Sequence, residues 1–366
     1  LYFPFVETGM TNTLKVESGT FAMKGVRPTM EDEHISLDDI AEDYPQLLEH
    51  FKEPLAYYGI YDGHRGIRAA EYAAEYLHSN ILEHDEFVTD TEKAIREAFI
   101  KTDDDFLDKA REQEEKWNDG CTAVVAIFLG TKLYVANCGD AEILLGRKKE
   151  DSDEFEAIEL THKHKPSDPE EKDRIKAAGG MVLAGRVGGA LAVARAFGDL
   201  EFKTPFQDGD LHIGKLITAD PYIACVDLIP ERDLFLIVGC DGVWERMGHQ
   251  DSVSFVSQHL FEEGPEITSE MLVNRAFSKK SQDNISCTII SLAWNSGEDD
   301  MEEDESGEGE ADSGDVSAED VDNDTPVVDK EETKEEANEA DTKDQEDSAS
   351  VDKPDSDSAV DEPQSD

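Results

Sequence analysis

Leu55-Ala56-Tyr57-Tyr58-Gly59-Ile60-Tyr61-Asp62-Gly63-His64 runs from a stretch that suits a buried strand straight into a carboxylate, a glycine and an imidazole. A second stretch repeats the design: Leu234-Phe235-Leu236-Ile237-Val238-Gly239-Cys240 is followed by Asp241-Gly242. A carboxylate at the end of a buried strand is costly unless it is paired or binds a metal. Two further acidic clusters, Glu31-Asp32 and Asp283-Asn284, lie far from these along the chain. Strand ends converging with them would form an oxygen cage for hard divalent cations, which points to metal-assisted hydrolysis. Each cluster alone has a plain explanation. Asp-Gly and Asp-Asn are ordinary turn pairs, and Glu31-Asp32 reads as a solvated acidic pair. Asp62-Gly63-His64 carries more. Its aspartate could bridge two metals, and its glycine allows the close backbone approach that makes a carbonyl a ligand. Its histidine is the residue type suited to proton transfer near neutral pH.

Outward from this stretch, residues 13–37 read as strands around a turn at Lys24-Gly25. Helical spacing of Ala70, Ala73, Ala74, Leu77 and Ile81 predicts a helix over 69–82. A second helix is expected from Thr91 to Trp117. Strands follow at 122–129, 132–136 and 142–147, the first two joined by a hairpin at Gly130-Thr131. Ser167-Asp168-Pro169-Glu170-Glu171 opens a helix that Gly179-Gly180 closes. Further strands are predicted at 191–194, 217–228 and 234–240, helices at 250–261 and 269–277, and a last, edge strand at 285–293. Hairpin-linked strands with clustered helices predict an α+β fold of two antiparallel sheets packed together and covered by helices. The segment 202–216, with Pro205, Gly209 and Gly214, reads as a functional loop over a site.

The 366 residues carry a formal net charge of −53, unevenly spread. Residues 298–366 hold 31 acidic residues and four lysines, with no Phe, Trp or Tyr. Such a segment cannot bury enough apolar surface to offset chain entropy, so residues 297–366 are expected to be a disordered acidic tail. Its plain role is solubility. Its sharper roles are a docking arm for basic proteins or an autoinhibitory segment. Residues 1–12 are expected to be an N-terminal extension, native or added, with Met10 an alternative start.

An acidic surface argues against nucleic acid as a partner, because phosphate binding needs clustered Lys and Arg. No apolar run approaches the length of a membrane span. The five cysteines include no C-x-x-C, and most lie in apolar runs. That pattern suits reduced core thiols in a cytoplasmic or nuclear protein and speaks against a zinc site.

The clusters gain specificity from their company. In order come Arg27-x-x-Met30-Glu31-Asp32, Tyr61-Asp62-Gly63-His64, Asp119-Gly120-Cys121-Thr122-Ala123, Ala136-Asn137-Cys138-Gly139-Asp140 and His164-Lys165-Pro166. Then follow Gly179-Gly180, Arg186-Val187-x-Gly189-x-Leu191-Ala192-Val193, Arg195-Ala196-Phe197-Gly198-Asp199, Cys240-Asp241-Gly242-Val243-Trp244 and Asp283-Asn284. This series resembles the metal-dependent serine/threonine protein phosphatases of the PPM (type 2C) family, from about Thr13 to Trp294, with residues 13–296 the expected catalytic domain.

The resemblance implies a four-layer α-β-β-α sandwich with a metal centre at one end. It implies that Asp62, the Gly63 carbonyl, Asp241 and Asp283 hold two Mn²⁺ or Mg²⁺ ions, with Glu31 and Asp32 in support. A water bridging the two ions is the implied nucleophile. Arg27 is the implied grip on the substrate phosphate, as a fork-shaped donor. His64 is the implied general acid toward the leaving seryl or threonyl oxygen. No Cys sits in a C-x₅-R loop, so no covalent phosphoenzyme is expected. Phosphorylated proteins are the implied substrates of a monomeric enzyme.

Three positions depart from the family pattern. Arg65 stands where the family usually has Gly, and reads either as an extra phosphate contact or as a cap on the next helix. Glu245 replaces the usual Asp that, with the residue matching Asp140, is associated with a third, weaker metal. Ala194 replaces a Ser that reads as structural. Arg65 and Glu245 are also the features that would favour the alternative, a pseudophosphatase or regulatory binding module with an acidic interaction tail.

Overall fold

The computed structural model describes residues 13–204, 206–208, 211–213 and 215–295. The expectations for residues 1–12 and for the acidic tail lie outside the described residues, as does part of the 202–216 segment. The chain begins with strands β1 (Thr13–Met23), β2 (Glu33–Leu37), β3 (Leu55–Tyr61) and β4 (Gly63–His64), then helices α1 (Arg68–Leu82) and α2 (Thr91–Glu112). Strands β5 (Gly120–Cys121), β6 (Ala123–Leu129), β7 (Lys132–Cys138), β8 (Glu142–Lys148) and β9 (Phe155–Glu159) follow, then α3 (Pro169–Ala177). Short pieces come next: β10 (Val182–Leu183), β11 (Arg186–Val187), β12 (Phe197–Gly198), α4 (Leu200–Lys203), β13 (Phe206–Asp208) and β14 (Leu211–Ile213). The chain then forms β15 (Tyr222–Asp227), β16 (Asp233–Gly239), α5 (Asp241–Trp244), α6 (His249–Ser278) and β17 (Ile285–Asn295).

Two five-stranded antiparallel sheets, ordered β15-β7-β6-β3-β2 and β1-β17-β16-β8-β9, form the centre. Alternation along β3 explains how both faces of the first sheet are covered. Leu55, Tyr57 and Tyr61 join Ala70, Leu77, Ile95 and Phe99 of α1 and α2 in one apolar cluster. Ala56, Tyr58 and Ile60 join Leu236, Val238 and Ile290 in the cluster between the sheets. On the far side, Phe235, Ile237 and Ile289 meet Val253, Val256 and Leu272 of α6. Burying a side chain of this size stabilises by roughly 1.5–3 kcal/mol. The result is the expected α+β architecture, helix-sheet-sheet-helix. It also explains why β3 and β6 read as unbroken apolar runs: every residue in both is buried. By the same alternation, Asp62 and Cys240 continue the faces directed between the sheets, and Asp241, one residue further on, opens α5 at the same mouth of the sandwich.

Several predicted elements differ. Helix α2 ends at Glu112, not Trp117. Residues 111–116 offer no apolar face, and Glu112, Glu114 and Glu115 oppose the negative end of the helix dipole. Residues 191–194 form no strand. Leu191, Val193 and Ala194 are buried in a satellite cluster with Ile175, Val187 and Ile217, beside the mouth. A short apolar run does not by itself distinguish a strand from a packed loop. Strand β15 starts at Tyr222, after Pro221. Strand β9 was not predicted. The two C-terminal helices are present as expected but run longer and abut within α6, separated only by the non-helical backbone of Gly264 (φ 80°, ψ 170°) before Pro265. Strand β17 is internal rather than an edge, because β1 pairs with it along its whole length, from Thr13↔Asn295 to Met23↔Ile285. Pairing across so long a separation leaves no local trace in sequence.

Candidate active site

A cavity of about 670 Å³ opens at the mouth. It is lined by Arg27, Glu31, Asp62, Gly63, His64, Arg65, Asp140, Asp241, Glu245 and Asp283. Of the predicted site residues only Asp32 is absent from its wall; it is buried just behind, where its Oδ2 accepts a 2.7 Å hydrogen bond from Ser286. Residues from five separate stretches therefore converge. Close backbone approach makes this feasible at Gly63: a Cβ there would lie 2.2 Å from the Glu31 carbonyl oxygen. Asn284 ties the pieces together. Its Nδ2 donates to the Lys24 and Thr29 carbonyls at 2.8 and 2.9 Å, and its Oδ1 accepts from the Glu31 amide at 2.9 Å.

The carboxylates crowd one another. Burial, then repulsion from Asp32, Asp241, Asp140 and Asp283, pushes Asp62 well above the usual carboxylate range. Asp241 is pushed up to about 7 by burial and by Asp140, Asp283 and Glu245, with Lys165 offsetting part of this. Burial raises Asp32 to about 6, against the hydrogen bonds from Ser286 and Cys240. Asp241 Oδ1 is buried and has no hydrogen-bond partner among the described residues. An orphaned carboxylate oxygen among repelling carboxylates is the environment a divalent cation relieves, and an all-oxygen donor set fits a hard cation.

Cationic groups stand around this acidic floor. The Arg27 guanidinium donates to Asp283 Oδ2 at 2.7 Å and to the Gln282 carbonyl at 2.9 Å, and is half exposed. Lys165 is ion-paired with Asp140, while Glu245 is exposed on the rim. Arg65 is ion-paired with Glu201 and lies 6.0 Å from the Phe202 ring centroid. His64 Nε2 is 2.8 Å from Asp199 Oδ2.

A sequence model of the family "Protein phosphatase 2C" matches residues 16–285. The chain belongs to the protein phosphatase 2C family. By that membership it is a metal-dependent serine/threonine protein phosphatase. It is 39% identical over 297 residues to the probable protein phosphatase 2C 8 of Arabidopsis thaliana, covering 76% of this chain and 79% of that protein. It is 34% identical over 295 residues to the protein spalten of Dictyostelium discoideum, covering 78% of this chain but only 29% of that protein. The structure of serine-threonine phosphatase 2C from Toxoplasma gondii shares the fold, with a TM-score of 0.63 at 21% identity, covering 76% of this chain and 95% of that one.

Sequence reasoning gave no role to Asp199, Lys165 or Asn284, although all three stood in the ordered protein phosphatase 2C motifs. Their signal was only their place in that series. Nothing local marks Asp199 as a partner of His64, because the contact spans 135 positions.

Proposed function

We propose that this protein phosphatase 2C member hydrolyses phosphoserine and phosphothreonine in proteins at the mouth of the sandwich. The observation that carries the reading is the buried Oδ1 of Asp241, unpartnered among the described residues and set among carboxylates that repel one another. Asp62, the Gly63 carbonyl, Asp241 and Asp283 would hold two Mn²⁺ or Mg²⁺ ions, with Glu31 beside them in the wall and Asp32 behind. Bound there, the ions would supply neutralisation of the phosphate charge and lower the pKa of the water that attacks phosphorus.

The chain's own groups do the rest. Arg27, half exposed at the rim, is placed to orient the phosphate with its planar fork of donors. His64 gives a proton to the leaving oxygen, an effect worth about 10²–10⁴-fold. Asp140 and Glu245 are the candidates for a weaker third ion, in competition with the Lys165 ammonium. We further propose that the 298–366 segment docks basic partners and that the protein works in the cytoplasm or nucleus. The binding-module alternative is not favoured, since no position of the two-metal set is lost.

The test is phosphate release from a phosphothreonine peptide with Mn²⁺, comparing the wild type with Asp62→Asn. A wild type no faster than the variant would sink the proposal.

A further inference from the structure

His64 stands in a small three-stranded ribbon ordered β12-β5-β4, separate from the main sheets. Gly120 in its middle strand is registered with His64 on one side and with Gly198 on the other. Across that glycine, His64 Nε2 meets Asp199 Oδ2 at 2.8 Å. A Cβ at position 120 would lie 2.3 Å from His64 Nε2 and 2.5 Å from Asp199 Oδ2. The middle residue must therefore be glycine for the two side chains to meet. Asp199 is fully buried, while His64 lines the cavity. Its Nδ1 makes no hydrogen bond to the described residues.

Asp199 is itself held tightly. Its backbone is left-handed, with φ at 53°, and its amide donates to the Asp119 carbonyl at 2.9 Å. The preceding Gly198 amide donates to Asp103 Oδ1 at 2.8 Å. The buried Lys203 ammonium donates to the same oxygen and to the Ala196 carbonyl, both at 2.6 Å. An ion pair between α2 and α4 thus clamps the turn that carries Asp199. The second oxygen of Asp199, Oδ1, has no hydrogen-bond partner among the described residues, and Arg65 Nη1 lies 4.0 Å from it.

We propose that Asp199 is the positioning residue of His64, holding Nε2 from behind so that Nδ1 faces the substrate. Arg65, in place of the family's usual glycine, supplies the second positive charge for this buried carboxylate. The inference rests on the reading of His64 as proton donor. As the bond between phosphorus and the seryl or threonyl oxygen breaks, the proton on Nδ1 passes to that oxygen and yields the alcohol. Attacking water forms the new P–O bond, and the product is inorganic phosphate. Asp199 takes no proton. It holds Nε2, and with it the ring, in place through the transfer.

The test compares two substrates on the full chain with Mn²⁺. A phosphothreonine peptide needs a protonated leaving group, and p-nitrophenyl phosphate does not. Asp199→Asn is expected to lower kcat on the peptide about 10–100-fold, with KM and the p-nitrophenyl phosphate rate changed less than about threefold. Gly120→Ala, which wedges the pair apart, should give the same pattern. Equal losses on both substrates, or no loss on the peptide, overturn the inference. His64→Gln is the control for the underlying reading: without leaving-group dependence in that variant, the proton-donor role itself fails. If His64→Gln shows it and Asp199→Asn does not, only the role of Asp199 fails. Arg65→Gly should lower kcat on the peptide alone; a raised KM on both substrates would instead make Arg65 a phosphate contact.

Discussion

The two ends of β16 carry the same side chain in opposite circumstances. At its start, Asp233 is fully buried and fully served. Arg147 donates to its two oxygens at 2.6 and 3.0 Å, and the Ile229 amide adds a bond at 2.8 Å. Just past its end, Asp241 has an orphaned oxygen and carboxylate neighbours. One aspartate is neutralised by a cation the chain itself provides. The other keeps a repulsion that Lys165 offsets only in part and that an external cation or a proton would relieve. A buried charge matched within the fold serves structure, and one left unmatched at an opening is a site.

The contrast is broken most severely at the open end. Asp241→Asn should lower the Mn²⁺-dependent rate on a phosphothreonine peptide by about 10³-fold or more. The same change should raise the melting temperature of the metal-free protein by a few degrees, on the order of 1 kcal/mol of relieved repulsion. Arg147→Ala at the closed end should do the reverse. Denaturant unfolding should show a loss of about 3 kcal/mol, the low end for breaking a buried pair because Arg147 is one-fifth exposed, with Mn²⁺ affinity unchanged.

Acidity tests the contrast without mutation. Asp241 and Asp32 lie at about 7 and about 6 when folded, above their ordinary 3.8. The folded protein therefore holds protons there that the unfolded chain releases. Their stabilising contribution is complete below the ordinary value and is lost as pH rises through 6 to 7. In chelator, calorimetric melting temperature should fall from these groups between about pH 5 and pH 8, and Mn²⁺ should restore more at the upper pH. Restoration greater at low pH would contradict the assignment. The mildest change is Glu245→Asp, which shortens the rim carboxylate. It should alter the rate at millimolar Mn²⁺ by about threefold, under 1 kcal/mol, with the effect vanishing in Asp140→Asn.

Much of this was legible in sequence because the chemistry is local. Asp62 and Asp241 each follow an apolar run, and that adjacency marks a buried strand delivering a charge to an opening. The sheet-and-helix architecture followed from the same runs. What escaped were relations between distant segments. Strand β17 was misplaced as an edge because its partner β1 begins the described chain. Residues 191–194 have the composition of a strand but no ladder to join. Asp199 meets His64 only because Gly120, in the strand between them, leaves room for the two side chains, and Arg65 is paired with Glu201, 136 positions away.

The central claim, that the unmatched carboxylates form a cation centre, is tested most directly by calorimetric titration of the metal-free protein with Mn²⁺ near pH 7.5. The account predicts uptake of about two equivalents with release of protons, and loss of that uptake in Asp62→Asn. Absence of saturable binding in the wild type, or binding equal to that of the variant, would contradict it.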